Sequence, residues 1–278
     1  MTRSSGLARR VERVCQAHAG RVAVVISGLV LAFLWVPIGV LVFMSFAEGG
    51  VLSFPPEELT LRWYQSFLQN DAALDAIVTT LTISVPATVV TVLLSTMIAY
   101  AIDRYVFPGR SWLQLLATLP IIVPLIVTGV AMVLFFNGTL GLPNYLSVVA
   151  AHVIRTIPFA TLVILPTFMT FDRKLEEASK DLGADELRTF WQVTMPNIFP
   201  GIVAGGLLAF TLSFNEFVYT YFVKGSSDPT LPVYIWNQIR YHVTPEVNVI
   251  SVVFLVVAVS MVLLAVSLTR VNLLARGE

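Results

Sequence analysis

Six long apolar stretches alternate with polar segments along the chain, at about 22–46, 77–101, 112–136, 146–168, 198–223 and 247–269. Each is long enough for the ~30 Å hydrocarbon core of a bilayer, which takes roughly 20 residues of helix. Backbone N–H and C=O groups find no water in lipid, so each stretch is predicted to be helical. The pattern therefore predicts an all-α, polytopic membrane protein with six transmembrane helices. It forms a single transmembrane domain over 1–278, with a polar N-terminal segment over 1–21 and one long polar loop over 171–197 between the fourth and fifth spans. The first stretch follows Arg9, Arg10, Arg13 and Arg21, and Ser45-Phe46-Ala47 loosely resembles a signal-peptidase site. Its apolar run is much longer than a signal core of 7–15 residues, so it reads as an uncleaved first span.

Composition agrees: 56% of the residues are hydrophobic and 12% charged, with mean hydropathy +0.82. A soluble domain carries about twice that charge. The net charge of zero becomes informative when the cations are sorted by loop. With the N-terminus inside, Arg3, Arg9, Arg10, Arg13, Arg21, Arg104, Arg110, Arg173, Lys174, Lys180, Arg188, Arg270 and Arg276 are cytoplasmic. Arg62, Lys224 and Arg240 are external, and Arg155 lies within a span. Thirteen against three is a strong positive-inside asymmetry. Both termini and the 171–197 loop are expected in the cytoplasm, and Glu48, Glu57, Glu58, Asp71 and Asp75 make the outer mouth mildly acidic. Cys15 is the single cysteine, which excludes a disulfide framework. No internal repeat or low-complexity tract is evident.

The loop is long for a plain connector, and long loops are usually functional or disordered. Asp172 is predicted to cap a helix in which Leu175, Ala178 and Leu182 share one face and Lys174, Glu177 and Asp181 the other. Gly183 then ends that helix, as glycine does just past a helix C-terminus. Asp185 caps a second short helix with Leu187, Phe190 and Trp191 on one side, and Pro196 marks entry into the fifth span. Two amphipathic halves broken by a glycine suit a docking element for a soluble partner better than a solvated connector.

Several polar groups fall inside the apolar stretches. Glu216 sits in Ser213-Phe214-Asn215-Glu216-Phe217 of the fifth span, about 10 Å below its outer end at ~1.5 Å per residue. Arg155 in the fourth span is at a comparable depth, ~14 Å. A carboxylate at a span centre costs about 2.5–3.5 kcal/mol and usually faces a cavity or a partner. Two readings follow: a structural Arg155–Glu216 ion pair, or a transport pathway lined by Glu216, Asn215, Ser213 and Arg155. His152, three residues before Arg155, reads as a packing and hydrogen-bonding residue, and no metal-ligand spacing accompanies it. Gly205-Gly206 allows close helix approach, and Pro86, Pro120, Pro124, Pro158 and Pro166 are candidate kinks. The external segment Leu231–His242, with Tyr234, Trp236, Ile239 and Tyr241, reads as a short interfacial helix whose aromatics anchor at the membrane surface, or alternatively as a gate or docking surface.

At this loop the chain resembles the permease subunits of binding-protein-dependent ABC importers. Their hallmark is Glu-Ala-Ala, three residues, Gly, nine residues, Ile-x-Leu-Pro. Glu177, Ala178, Gly183 and Pro196 stand at the matching spacing, with Ser179, Val193 and Met195 as small or volume-conserving departures. The resemblance spans roughly 60–270. It implies the MetI-like permease fold, with the loop as a coupling helix seated on a cytoplasmic ATPase through Glu177, Ala178, Ser179, Leu182, Gly183, Ala184 and Pro196. It also implies two permease subunits (the second a paralogue), two ATPase subunits, an extracytoplasmic binding protein, and a multi-pass location in the bacterial cytoplasmic membrane. No nucleic acid is expected among the partners. The chain has no Gly-x-x-x-x-Gly-Lys-Ser/Thr phosphate loop, so ATP and Mg²⁺ are expected on the partner ATPase and no cofactor on this chain.

Three segments resemble the second permease of spermidine/putrescine-type importers: Ala209–Glu216, Leu231-Pro232-Val233-Tyr234-Ile235, and Val243-Thr244-Pro245-Glu246-Val247-Asn248. In that subgroup two adjacent acids handle the polycation. Here the matching positions are Asn215 and Glu216, so one acid is missing. A polyamine-like or other amine-bearing solute is expected, with an opine or amino-acid derivative as the alternative. An ion-coupled secondary carrier would need ion sites at broken helices in matched repeats, and no repeat is visible. An intramembrane enzyme would need a nucleophile–base motif, and none is recognisable.

Overall fold

A computed structural model describes residues 4–48, 55–56, 58–225, 228–241 and 245–274. Side chains of 4–21 and most of those beyond 260 lie outside the described residues, as do Arg3, Glu57, His242, Val243, Thr244 and Arg276. Among the described residues the elements are helical: α1 Ser4–Met44, α2 Arg62–Leu68, α3 Asp71–Arg104, α4 Arg110–Ile122, α5 Leu125–Val133, α6 Asn144–Met169, α7 Lys174–Asp181, α8 Glu186–Thr189, α9 Met195–Phe214, α10 Val218–Val223, α11 Leu231–Tyr241 and α12 Glu246–Leu274. Wide π turns extend α5 over Leu134–Thr139 and join α8 to α9 over Phe190–Thr194.

Among the described residues, four helices are long and apolar enough to cross a membrane: Val22–Met44, Asp71–Arg104, Asn144–Met169 and Glu186–Phe214. The third expected span differs from a straight rod. It is two helices, Arg110–Ile122 and Leu125–Thr139, bent by 105°. The cause is Pro124: its ring disfavours the helical conformation for the preceding residue, and Val123 is accordingly extended at φ −76°, ψ 134°. The fifth expected span also breaks. α9 ends at Phe214 and α10 begins at Val218, so helix rise no longer measures the depth of Glu216. The sixth is apolar over Glu246–Ser260.

The chain forms two compact units. One comprises residues 1–66 and 244–252. Its α1 is apolar yet exposed along Val24, Leu29, Phe33 and Trp35, as a helix surrounded by lipid or another subunit must be. Past α1 the chain folds back through an Ala47–Leu59 antiparallel bridge. Trp63 Nε1 donates to the Ala47 carbonyl at 3.0 Å, and the Ser45 and Tyr64 hydroxyls bond at 2.7 Å. Beside the bridge, hydrogen bonding and repulsion from the Glu58 carboxyl push the Glu48 carboxyl above its usual range.

The other unit comprises residues 67–243 and 253–278. α3, α6 and α9 form its centre. Ala99, Ala160, Ile164, Phe168, Ile198, Ile202 and Ala209 pack one end, and Ile83, Met132, Phe136, Val148, Ala151, Tyr219 and Val223 the other. Small residues set the α6–α9 distance: a Cβ on Gly205 would lie 2.7 Å from Ile164 Cγ1, and one on Gly201 would overlap Thr167. Only glycine permits this approach, consistent with small-residue packing of membrane helices. α11 is more than a surface anchor. Leu231, Val233 and Tyr234 are buried, and Leu231 N–H donates to Thr80 Oγ1 of α3 at 2.7 Å. Tyr234 OH accepts from Asn70 Nδ2 at 3.1 Å and from Gln238 Nε2 at 2.7 Å. Trp236 and Ile239 remain exposed, and Trp236 rests on the Phe217 ring.

Candidate functional site

Two polar regions of the second unit carry the candidate residues. The first is the polar loop. Asp172 Oδ1 accepts from Lys174 N–H at 3.0 Å at the start of α7. At its end Gly183 has φ +88°, and Ala184 N–H bonds back to the Ser179 carbonyl at 3.1 Å, a glycine-terminated helix end. Asp185 Oδ1 caps α8 through Arg188 N–H at 2.7 Å. Glu177, Ala178 and Gly183 are exposed, and Ser179 and Ala184 partly so. Pro196 enters α9 at its first turn. Most apolar side chains of the loop turn outward, with Leu182 90% exposed and Leu175, Leu187 and Trp191 also exposed, whereas Phe190, expected on the same side as Leu187 and Trp191, turns onto the Tyr100 ring of α3. An unburied apolar surface on a charged loop is what a docking element would present.

Packing holds little of α7, which has no buried residue. Polar bonds hold it instead, and the residues making them were not singled out by the sequence pattern. Arg104 Nη2, at the end of α3, lies 2.5 Å from Glu176 Oε1. Thr194, in the π turn ahead of α9, donates its hydroxyl to the same oxygen. Asp103 Oδ2 sits 3.6 Å from Arg104 Nε and 3.0 Å from Arg173 Nη2. Arg104 is flanked by the rings of Tyr100 and Phe171, and Ser179 and Thr189 hydroxyls bond at 3.2 Å. The alternation of Glu176 and Glu177 was the available signal: neighbours on a helix point about 100° apart, so one acid faces inward while the other faces water.

The second region surrounds the break between α9 and α10. Ser213 and Glu216 are buried, whereas Asn215 is exposed, so the four pathway candidates do not line one surface. Glu216 Oε1 accepts from Tyr219 N–H at 3.0 Å, satisfying a free donor in the first turn of α10. Arg155 Nε stands 3.8 Å from that oxygen, an ion pair longer than a hydrogen bond, with its guanidinium over the Tyr219 ring. The structure thus brings Arg155 and Glu216 together. His152, fully buried on α6, bridges the break. Its Nδ1 is 2.8 Å from Ser213 Oγ on α9, and its Nε2 is 2.7 Å from Thr220 Oγ1 on α10. One turn on, Thr156 Oγ1 bonds Thr91 Oγ1 of α3 at 2.7 Å. This hydroxyl–imidazole set supplies partners for groups that lipid cannot satisfy.

Comparison with known proteins agrees with this fold. The chain is 34% identical to the putrescine transport system permease protein PotI of Escherichia coli (strain K12), over 84% of this chain and 85% of that protein. It is 31% identical to the spermidine/putrescine transport system permease protein PotC of Haemophilus influenzae, over 88% and 95%. Its fold matches a chain in the crystal structure of a bacterial ABC transporter involved in import of the acidic polysaccharide alginate, with TM-score 0.71 and 19% identity over 95% of this chain and 98% of that one. Residues 92–276 match the family described as the binding-protein-dependent transport system inner membrane component. The chain therefore belongs to that family, as a multi-pass component of the inner membrane.

Proposed function

We propose that this chain is the permease subunit of an ATP-driven importer, forming half of the pathway for a small amine-bearing solute, polyamine-like in character. The observation that carries this reading is the exposed apolar surface of the α7–α8 loop, with Leu182 almost fully uncovered beside the left-handed Gly183. That surface docks a cytoplasmic ATPase, and Glu177, Ala178, Ser179, Leu182, Gly183, Ala184 and Pro196 form or frame it. Two ATPase subunits bind ATP and Mg²⁺. A second, paralogous permease completes the pathway, and an extracytoplasmic binding protein delivers the solute. Both termini are cytoplasmic in this reading, which the cation asymmetry supports.

Polyamine-type transport is supported by the PotI and PotC relatives, whose names specify putrescine and spermidine. Within this reading the exposed Asn215 is the pathway-facing group, whereas Glu216, buried and bonded to Tyr219 N–H, holds α10 and pairs with Arg155. An opine or amino-acid derivative is the second reading, favoured by an amide rather than an acid at Asn215. The test is uptake of labelled putrescine into proteoliposomes holding the complete complex, with and without ATP. Gly183→Val forces a branched residue into φ +88° and is expected to lower ATP-driven uptake at least tenfold with insertion intact. Undiminished uptake would remove the docking role. Inhibition of putrescine uptake by an opine but not by spermidine would favour the second reading.

A further inference from the structure

The coupling loop must pass force to the membrane helices, yet α7 buries no side chain against them. An eight-residue helix is marginal by itself, so its position is set by whatever tethers it. Among the described residues, the tethers that reach both α3 and the turn before α9 meet at one carboxylate. Glu176 Oε1 accepts both from Arg104 Nη2, at the C-terminal end of α3, and from Thr194 Oγ1, in the π turn that leads into α9. α3 and α9 are two of the three central helices. The site is built rather than incidental. The side chains of Arg104, Glu176 and Asp103 are 13%, 17% and 6% exposed. The guanidinium is oriented by Asp103 and held between the Tyr100 and Phe171 rings, suiting a planar, always charged group. A second tether, Arg173 to the carboxylate and carbonyl of Asp103, joins the start of α7 to the same corner of α3. Partly desolvated, charge-assisted bonds are short and directional, so they transmit displacement where loose packing would absorb it.

We infer that the Arg104–Glu176–Thr194 cluster is the latch that couples movement of α7 to α3 and α9, with Glu176 as a positioning residue for transport. The inference rests on the permease reading above, and assigns to Glu176 a task distinct from ATPase contact by its exposed neighbour Glu177. When the ATPases displace α7, the latch makes α3 and α9 move with it. When the latch is cut, α7 moves alone and ATP is hydrolysed without transport.

The test uses the full complex in proteoliposomes and reads putrescine imported per ATP hydrolysed. Glu176→Gln and Thr194→Val are expected to lower this ratio about tenfold and threefold, with ATPase activity within twofold of the parent. The exchanged pair Arg104→Glu with Glu176→Arg is expected to restore part of the loss. A second readout does not depend on the solute. With Cys15→Ser, spin labels at exposed positions Asp181→Cys on α7 and Met97→Cys on α3 are expected to give one narrow distance that persists on ATP addition, and a broadened one in Glu176→Gln. An unchanged ratio with an unbroadened distance overturns the latch. A parallel fall of ATPase, uptake and complex assembly in both single variants, without rescue by the exchange, also overturns it by making the cluster merely structural. Absence of putrescine uptake by the parent counts against the proposed solute instead, and the spin-label distances then decide the latch.

Discussion

The polar cluster under the α7–α8 loop and the polar cluster at the break of the fifth span solve the same problem with different chemistry. Both tie α9 to its neighbours through side-chain bonds. The first uses formal charges, Asp103, Arg104, Arg173 and Glu176, at the end of the spans. The second relies on neutral partners, His152, Ser213, Thr220, Thr156 and Thr91, with one loose ion pair, Arg155–Glu216. The difference follows from solvent. Near water a charge keeps part of its hydration, so an ion pair is inexpensive to form and to re-form. In a bundle surrounded by lipid an unpaired charge is costly, and hydroxyls and imidazole satisfy one another at lower risk. The cluster at the end of the spans is therefore mainly ionic, and the cluster that holds a broken helix in register is mostly neutral.

The largest expected effect breaks the comparison at its one exception. Arg155→Met leaves Glu216 buried without a counter-charge and is expected to cost about 3 kcal/mol, read as a lowered thermal midpoint in detergent. Adding Glu216→Gln, whose amide oxygen still accepts from Tyr219 N–H, is expected to recover most of it. Failure to recover would mean that Arg155 stabilises the bundle by packing on Tyr219 rather than by pairing. Next, His152→Leu removes both bridges across the break and strands Ser213 Oγ, at an expected cost of about 2 kcal/mol. Hydrogen exchange should rise in α10 before α9, since α10 is only a turn and a half long. An even rise would deny that His152 holds the break.

Smaller effects are expected at the cluster under the α7–α8 loop. Arg104→Met should cost about 1 kcal/mol, because the pair retains some water access. Raising salt from 50 mM to 1 M should shrink the Arg104→Met effect modestly while leaving the His152→Leu effect unchanged, since screening reaches partly hydrated charges and not buried neutral bonds. Equal salt responses would erase the proposed distinction. Smallest of all, Ser179→Ala removes one partly exposed hydroxyl bond to Thr189, and its effect should stay near 0.5 kcal/mol in the same thermal assay.

Local features were legible wherever local chemistry decides. Gly183 ends α7 and Asp185 caps α8, because left-handed backbone and a free N–H are needs of the immediate chain. Hydropathy marked the spans, and Pro124 was a named kink candidate. Its outcome is a 105° bend rather than a gentle curve, because Val123 ahead of it is extended rather than helical. The break after Phe214 has no proline or glycine to announce it, so a continuous span was the natural expectation. Its stabilising bonds come from His152, sixty residues distant, and from Glu216 turning back onto Tyr219 N–H.

By itself, the sequence determined that this protein is an all-helical membrane component and where its long polar loop lies. These follow from the cost of apolar surface in water and of backbone polar groups in lipid, costs summed along the chain. The tertiary structure alone decided that Glu176 rather than Glu177 grips α3, that Asn215 and Glu216 point to different surroundings, and that Tyr234 is buried. Those outcomes depend on which side chains meet across helices, and a carboxylate's role is set by the donor that reaches it.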